Sequence, residues 1–175
     1  MKLVTFRVGQ REYAVDIEQV REVIRQPEIV PIPDVPRWVE GIMDLRGEVV
    51  PVISLRKKMG LDDGDRPAVN RVLIAHRPGR PFGLMVDMVT GVIPIRAEDL
   101  SRVDDLLNQV RYLKAVARIE DRLVPMLDLP AILSDTEAGQ ITAAGVGATA
   151  PACDHPLSTG LPRDGDKPLD RMGVL

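Results

Sequence analysis

The sequence has little cysteine and few aromatic residues, and each shortage excludes a class of protein. Cys153 is the only cysteine among 175 residues, which excludes a disulfide framework within the chain. Aromatic residues make up 3% of the chain, so we expect an aliphatic core. The sequence also lacks a secretory leader and any apolar run near the roughly 18 residues that span a bilayer. We therefore expect a cytoplasmic protein that does not insert directly into a membrane.

An excess of positive charge is also missing. The chain has 23 basic and 26 acidic residues, which gives a net charge of −3. A protein that binds nucleic acid usually presents a basic stripe, and a barrel that binds single strands also needs exposed aromatic side chains. The composition favours neither feature, so we expect no nucleic-acid partner.

What the sequence does have is a strongly patterned stretch around Gly47. Two apolar runs, residues 42–45 and 49–55, flank a polar break at Arg46, Gly47 and Glu48. Glycine adopts the positive φ of a tight hairpin turn at no steric cost, and β-branched residues suit a pleated strand. The pattern predicts a β-hairpin whose charged tip carries Arg46. An arginine at such a tip is either simply solvated or part of a protein interface.

The same pattern recurs later in the chain, which indicates an internal duplication. The corresponding stretches are 49–55 with 123–129, 41–45 with 115–119, 15–16 with 86–87, and 20–24 with 89–93. Each half is expected to form four or five short strands, and helical patterns of useful length are missing. This organisation favours two small β-barrels over a doubly wound sheet.

The sequence predicts no catalytic, cofactor-binding or metal-binding residues. His76 and His155 do not stand at metal-ligand spacing from cysteines or carboxylates, and no glycine-rich phosphate loop precedes a helix. Asp16 and Asp87 occupy equivalent positions of the duplication. Their expected role is to cap backbone amides, and a catalytic carboxylate pair is the alternative. We expect a protein that is not an enzyme; the rival hypothesis is a small enzyme with a site between the barrels, built on Asp16, Asp87 or His76.

The composition changes after Ser134. Residues 135–175 contain six glycines, four prolines and no aromatic residue. Such a segment buries too little apolar surface to offset the entropy lost on ordering. We therefore expect one domain over residues 1–134, built from the two halves, and a flexible C-terminal tail over residues 135–175.

Four stretches of the chain resemble the sequence blocks of CheW-like domains, the coupling modules of bacterial chemosensory arrays. The most specific is the run GIMDLRGEVVPVISLR at residues 41–56. The other three, in the family's order, are residues 13–24, 83–92 and 124–129. Four blocks in the right order are more specific than one motif, and together they cover nearly all of the predicted domain.

The resemblance implies a mainly β fold of two intertwined, five-stranded SH3-like barrels around a shared core, with a few short helices. It also implies a non-enzymatic adaptor that couples the cytoplasmic tips of chemoreceptors to a CheA-type histidine kinase, through the regulatory domain of that kinase. The protein would then work at membrane-associated receptor arrays. Alternatives in the same fold are a CheW-like scaffold of a non-flagellar pathway, such as surface motility or development, and a paralogue of the kinase's regulatory domain.

The resemblance also implies a receptor-binding groove between the two barrels. Carried over by position, this groove would include Val20, Glu22, Gly41 and Arg46, with Val92 from the second half. In this interpretation Gly41 lets the partner's backbone approach closely. Glu22 and Arg46 supply orientation and partner choice more than affinity.

Three positions depart from the usual pattern of the family. Asp44 stands where asparagine is usual, Ser54 where aspartate is common, and Ala115 where glycine is common. Asp44 adds a negative charge beside Arg46, which we expect to influence receptor preference. The departures leave the predicted fold unchanged.

Overall fold

The computed structural model describes residues 1–25, 27–61, 70–76, 80–102 and 110–143. The strands are β1 Lys2–Val8, β2 Arg11–Asp16, β3 Val20–Arg25, β4 Val39–Leu45, β5 Glu48–Ser54, β6 Arg71–Ala75, β7 Phe82–Val86, β8 Met88–Pro94, β9 Leu100–Arg102, β10 Leu113–Ile119 and β11 Arg122–Leu127. The helices are α1 Leu55–Lys58, α2 Leu129–Ile132 and α3 Asp135–Ala143, with 3₁₀ turns at Ile17–Gln19 and Ala97–Asp99. Cys153, His155 and the part of the predicted tail after residue 143 lie outside the described residues.

The strands form two sheets, and each sheet contains a hairpin from the other half of the sequence. The first sheet, called here the first barrel, has the order β3-β6-β7-β5-β4. The second barrel has the order β8-β1-β2-β11-β10-β9. Hairpin β1–β2 therefore completes the second barrel, and hairpin β6–β7 completes the first. The predicted intertwined pair of barrels is confirmed, with the three-residue strand β9 as an addition to the second.

Three apolar clusters fill the molecule. One lies inside the first barrel and includes Val52 and Ile74, and one lies inside the second and includes Leu3 and Met126. The third is shared, because it draws side chains from both sheets. Its members include Phe6, Val15, Val39, Ile53, Leu73, Leu84, Leu127 and Leu129. Full burial of a large apolar side chain contributes about 1.5–3 kcal/mol, so the shared core holds the barrels together strongly.

Strand β1 shows how the shared core changes a simple alternating pattern. Val4, Phe6 and Val8 pack into the shared core, as alternation predicts. Leu3 points to the other face and is fully buried in the second barrel. Thr5 is buried as well, and its hydroxyl donates a hydrogen bond to a carbonyl of β8 at 3.3 Å. The alternation of apolar and polar residues in this strand predicts one buried face; the strand is buried on both faces because it lies inside a sheet that separates two cores.

The two predicted hairpins are present and match in detail. Hairpins β4–β5 and β10–β11 both pair antiparallel with a register shift near their open ends, between Val39 and Gly41 and between Leu113 and Ala115. The first turn residue is left-handed in both hairpins, with φ 55° at Arg46 and φ 54° at the equivalent Glu120. The duplication predicted from the sequence is therefore confirmed at the level of the backbone.

Helix α3 extends the structure past residue 134, where we expected the domain to end. Ser134 and Glu137 form a reciprocal capping box, since the amide of each donates to the side chain of the other at 3.0 and 3.3 Å. Ile141 is 3% exposed and packs into the shared core. Glu137 also accepts a hydrogen bond from Lys58 of α1 at 2.6 Å. Residues 135–143 thus differ from the expected tail, because a cap, an ion pair and one buried side chain hold them as a docked helix.

Candidate functional site

The tip of hairpin β4–β5 lies against β3, and an ion pair joins them. Arg46 donates to both carboxylate oxygens of Glu22, from Nη2 at 2.9 Å and from Nη1 at 3.2 Å. The Arg46 side chain is 74% exposed, so the pair faces solvent. A two-pronged contact of this kind fixes the orientation of both groups, although an exposed pair adds little to stability. The structure therefore brings together two of the residues predicted for the groove.

A second ion pair extends this contact into a charged strip of Arg21, Glu22, Arg46 and Glu48. Arg21 Nη1 lies 3.1 Å from Glu48 Oε2, so β3 and the hairpin tip are bridged twice. Asp44 does not bridge the two elements in this way. Its carboxylate accepts a hydrogen bond from the backbone amide of Gly47 at 2.6 Å and holds the turn. Asp44 thus acts within the hairpin as an acceptor, a role that the side-chain oxygen of asparagine can also fill.

A groove of about 690 Å³ opens beside the charged strip. Strand β3, residues 27–30 and strand β4 line it. Val23 and Val30 are large apolar side chains on its wall that remain exposed. Apolar walls with a few charged groups at the edge are typical of surfaces that bind another protein. The first barrel therefore presents a groove with six apolar and five charged lining residues, and two of the charged ones form the oriented pair of Arg46 and Glu22; this is the surface called the apolar groove below.

The structure places Val92 apart from the other predicted groove residues. Val20 begins β3, pairs with Ala75 of β6 and packs on the shared core. Val92 lies on β8, pairs with Val4 of β1 and is 52% exposed. By the duplication, Val92 is the counterpart of Val23. Four predicted residues thus lie on β3 and hairpin β4–β5 of the first barrel, whereas Val92 belongs to the second.

Gly41 has a structural role that the sequence did not show. Its φ is 147°, and a Cβ at this position would lie 2.1 Å from the carbonyl oxygen of Val30. That carbonyl accepts a hydrogen bond from the amide of Ile42, and the amide of Val30 donates to the carbonyl of Ile42. The close approach that we assigned to a partner's backbone is made by this chain's own backbone. The approach of a partner's backbone to Gly41 and the membership of Gly41 in the groove both stay predictions.

The two carboxylates considered for catalysis are separated by the length of a hairpin. Asp16 pairs with Leu3 near the start of β1 and caps the 3₁₀ turn by accepting from the amide of Glu18. Asp87 accepts from the amide of Gly9, just past the end of β1. Six strand residues at about 3.3 Å each separate these positions by about 20 Å. The expected capping roles are confirmed, and the carboxylate pair needed for the rival enzyme hypothesis is not formed.

A second groove, of about 840 Å³, lies between the β1–β2 turn, α1 and β11. Tyr13 and Tyr112 line it, and burial together with the nearby Tyr13 raises the pKa of Tyr112. Asp87 is the one carboxylate among the described residues of this lining. It is held by Arg56 at 2.7 Å and is therefore poorly placed to act as a general base.

The main feature that sequence reasoning missed is a buried ion pair between Arg56 and Asp87. Arg56 Nη2 lies 2.7 Å and Nε 3.3 Å from the two carboxylate oxygens. The side chains are only 7% and 11% exposed. Arginine near the start of a short helix usually faces solvent, so the sequence pattern of α1 predicted no partner. The sequence did offer one indication of this pair. Asp87 and Asp16 occupy equivalent positions of the duplication, and each lies where the chain passes from one sheet to the other.

Within residues 1–25, 27–61, 70–76, 80–102 and 110–143, no three His, Cys, Asp or Glu side chains are grouped closely enough to hold a metal ion. In the same ranges, none of the helices has the length and apolar character needed to cross a membrane.

Comparison with known proteins gives consistent matches. Residues 2–137 match the family described as CheW-like domain. The chemotaxis protein CheW of Helicobacter pylori is 31% identical over 136 residues, which cover 76% of this chain and 81% of that protein. The corresponding protein of Treponema pallidum is 29% identical over 143 residues, covering 78% and 84%. The crystal structure of the scaffolding protein TtCheW from Thermoanaerobacter tengcongensis matches with a TM-score of 0.68 and 31% identity, over 73% of this chain and 88% of that one.

A further relative is not named as a CheW protein. Protein PilI of Pseudomonas aeruginosa is 31% identical over 87 residues, which cover 50% of this chain and 49% of that protein. The match is thus limited to about half of each chain. The matches as a whole confirm both the resemblance found in the sequence and the fold that it implied.

Proposed function

Because this chain belongs to the CheW-like domain family, whose members are non-enzymatic chemotaxis scaffolds, we propose that it couples chemoreceptors to a CheA-type histidine kinase. Its work would be done in the cytoplasm, at receptor arrays. The names of its relatives, at 27–31% identity, support a role in chemotaxis. The proposal has two specific parts, a contact with the receptor and a contact with the kinase.

The proposed receptor contact is inferred from the charged strip at the edge of the apolar groove. A helical segment that lays an apolar face into a groove is a recurring mode of recognition. Arg46 and Glu22 already satisfy one another, so their charges need not be neutralised by the partner. We infer that the pair sets the direction in which a receptor's helical tip lies, while Val23 and Val30 provide apolar contact area.

The exposure of the strip is compatible with a modest affinity at each site. Exposed ion pairs are screened by salt and contribute little binding free energy. In an array, many such contacts are linked, and linked sites bind together far more tightly than each does alone. The CheA-type regulatory domain is proposed as the second partner on the basis of the family resemblance, without an assignment of residues.

The test is co-purification with the kinase and receptor signalling tips from the same cell, comparing the native chain with Arg46→Glu. Glu120→Arg is the matched control, because Glu120 occupies the equivalent turn position of the second hairpin with nearly the same φ. We expect the native chain and the control to retain both partners, and Arg46→Glu to lose the receptor. Loss of receptor binding in both variants would mean that the strip has no special role, and absence of both partners from the native chain would refute the coupling proposal.

The similarity to PilI supports a second candidate, a scaffold of a non-flagellar chemosensory pathway. The two candidates share the fold and differ in the behaviour that the pathway controls. Deletion of the gene should abolish spreading by swimming in soft agar under the first candidate. Under the second it should spare swimming and impair movement over a surface.

A further inference from the structure

Part of the wall of the apolar groove is a proline-rich segment, residues 27–33, which is not a strand of either sheet. Proline has no amide to donate and a fixed φ, so this segment cannot join β4 along its whole length. It is held to β4 by an isolated bridge. The amide of Val30 donates to the carbonyl of Ile42 at 2.8 Å, and the amide of Ile42 donates to the carbonyl of Val30 at 2.9 Å.

Two partly buried side chains anchor the segment on either side of the bridge. Ile29 packs against the core of the first barrel, and Ile32 packs against the shared core. Val30, between them, is 53% exposed and lines the groove. Its backbone is fixed by two hydrogen bonds while its side chain faces solvent. A side chain held in this way loses little further freedom when a partner covers it.

Gly41 decides whether the bridge can form. Its φ is 147°, and a Cβ there would lie 2.1 Å from the carbonyl oxygen of Val30 and 3.0 Å from the Cα of Pro31. Gly41 is itself buried, because these two residues fill the space beside it. Any side chain at this position would push the segment away from β4. The place of Val30 in the groove therefore depends on the absence of a side chain at Gly41.

The second barrel has the equivalent bridge but displays a different residue on it. Val116 is the counterpart of Ile42 in the duplication, and it pairs with Ser101 of β9. Ser101 is thus the counterpart of Val30, and it is exposed as well. A serine meets the needs of the fold at this place. The exposed apolar side chain of Val30 is therefore a feature of the first barrel alone, where it lies beside the charged strip.

We propose that Val30 is a contact residue for the receptor tip and that Gly41 is a positioning residue, which acts on the receptor only through Val30. The identity of the ligand rests on the proposed function. The apolar face of the helical tip packs against Val23 of β3 and against Val30 of the bridged segment. Gly41 lies beneath Val30 and does not touch the receptor.

The test is a double-mutant cycle in the full chain. Binding of a receptor signalling tip, made as a helical hairpin peptide, is measured by calorimetry for the native chain, Val30→Ala, Gly41→Ala and the double variant. Each single variant should bind about tenfold more weakly, since each removes the apolar contact of Val30. The double variant should also be only about tenfold weaker, because the second change has no contact left to remove.

Two controls separate this effect from others. Val23→Ala removes an apolar contact that does not depend on Gly41, so its combination with Gly41→Ala should bind about a hundredfold more weakly than the native chain. Val124→Ala weakens the core of the second barrel and should leave the affinity unchanged. All variants are compared at a temperature at which each is folded.

A second measurement needs no receptor. Hydrogen exchange of the amides of Val30 and Ile42, followed by nuclear magnetic resonance, reports the bridge directly. Both amides should lose protection in Gly41→Ala and keep it in Gly91→Ala, where the added Cβ meets nothing within 4 Å. If Gly41→Ala does not fold, Ile29→Ala takes its place in both measurements, because it loosens the same segment at its anchor in the first barrel.

A double variant of Gly41 and Val30 that binds about a hundredfold more weakly would overturn the proposal, since Gly41 would then act independently of Val30. So would a loss of affinity in Gly41→Ala with both amides still protected. Native affinity in Val30→Ala would remove Val30 from the contact. Failure of the native chain to bind any receptor tip would refute the proposed function and the receptor as ligand, while the exchange measurement would still decide whether Gly41 holds the segment in place.

Discussion

The tips of the two duplicated hairpins share a backbone but carry different surfaces. Both turns start with a left-handed residue, Arg46 in one and Glu120 in the other. At the first tip, Arg46 reaches across to Glu22 of β3. At the second tip, Arg122 pairs with Glu12 of β2 at 3.0 Å, and Glu12 also accepts from a threonine of β8. The duplication has kept the fold of the tip and changed the charges that it displays.

The difference indicates where function is concentrated. Backbone features that recur in both halves, such as the register shift and the left-handed turn, meet the needs of the fold. Among the described residues, the charged strip and the buried pair of Arg56 and Asp87 occur in one half only. Such features are the better candidates for partner recognition. A variant in one half is therefore best compared with a variant at the equivalent position, or at a neutral position, of the other half.

The largest effect is expected where the chain passes between the barrels. Arg56→Met leaves the Asp87 carboxylate buried without its cation, and breaking a buried pair in this way costs about 3–5 kcal/mol. The other passage is held by Gln19, whose side chain donates to Asp128 at 2.7 Å and accepts from the amide of Leu129. Gln19→Met should cost about 1–2 kcal/mol, in the range of ordinary hydrogen bonds. Urea denaturation of both variants measures the difference, and equal costs would show that the passages are equivalent.

The next effect concerns Gly41 and its counterpart Ala115. A methyl group at Gly41 would collide with the carbonyl of Val30, and the positive φ adds strain, so Gly41→Ala should cost about 2–3 kcal/mol. Ala115 carries a Cβ at the equivalent place although β9 pairs beside it, with Ser101 opposite Val116, and its φ is not positive as that of Gly41 is. Gly91→Ala is the control, since a Cβ there meets nothing within 4 Å. A cost for Gly41→Ala no larger than that of the control, in the same denaturation assay, would contradict this account.

These two positions also show what the sequence could and could not predict about the fold. The hairpins, the duplication and the choice of small barrels followed from local alternation and turn residues. The exchange of hairpins between the barrels did not follow from the residues and was implied only by the family resemblance. The contacts that decide it, such as Ala14 beside Met126, join distant parts of the chain and leave no local pattern. Nor did the sequence predict that residue 30 would close over Gly41.

The candidate site was predicted in part. The hairpin tip and the exposure of Arg46 were readable from the pattern around Gly47, but its partner Glu22 lies on another strand and entered only through the family resemblance. Arg56 was not singled out, because its burial depends on Asp87, which is brought to it by the parallel pairing of β5 with β7. Charged residues reveal such roles only when the tertiary structure shows what lies opposite them.

The two short helices that follow the duplicated hairpins also differ in their contacts. Helix α1 is joined to the C-terminal helix through Lys58 and Glu137, whereas residue 132 at the corresponding end of α2 is a buried isoleucine. Burial alone would raise the pKa of Glu137, but the hydrogen bonds from Lys58 and Ser134 outweigh it and lower the pKa below its usual 4.5. The contribution of the Glu137 carboxylate to the stability of α3 is therefore complete above pH 4.5 and is lost as the pH falls through the lower pKa of the folded state.

Trp38 provides the measurement, because it is the only tryptophan and Lys58 Nζ lies 4.4 Å from the centre of its ring. Acidification below pH 4.5 should alter the tryptophan fluorescence of the native chain as the ion pair is lost. In Glu137→Gln the fluorescence should lack this step and resemble the acid form at every pH. A step of the same size in the variant would assign the change to another carboxylate.

The smallest effect on stability is expected at the tips, where the comparison began. Arg46→Ala and Arg122→Ala each remove an exposed ion pair, and such pairs contribute about 0–1 kcal/mol. The midpoints of urea denaturation should therefore shift little and by similar amounts. Binding of a receptor signalling tip should separate the two variants, because only Arg46 belongs to the charged strip beside the apolar groove. If both variants bound as the native chain does, the asymmetry of the tips would have no part in recognition and the receptor contact would have to be sought elsewhere on the two barrels.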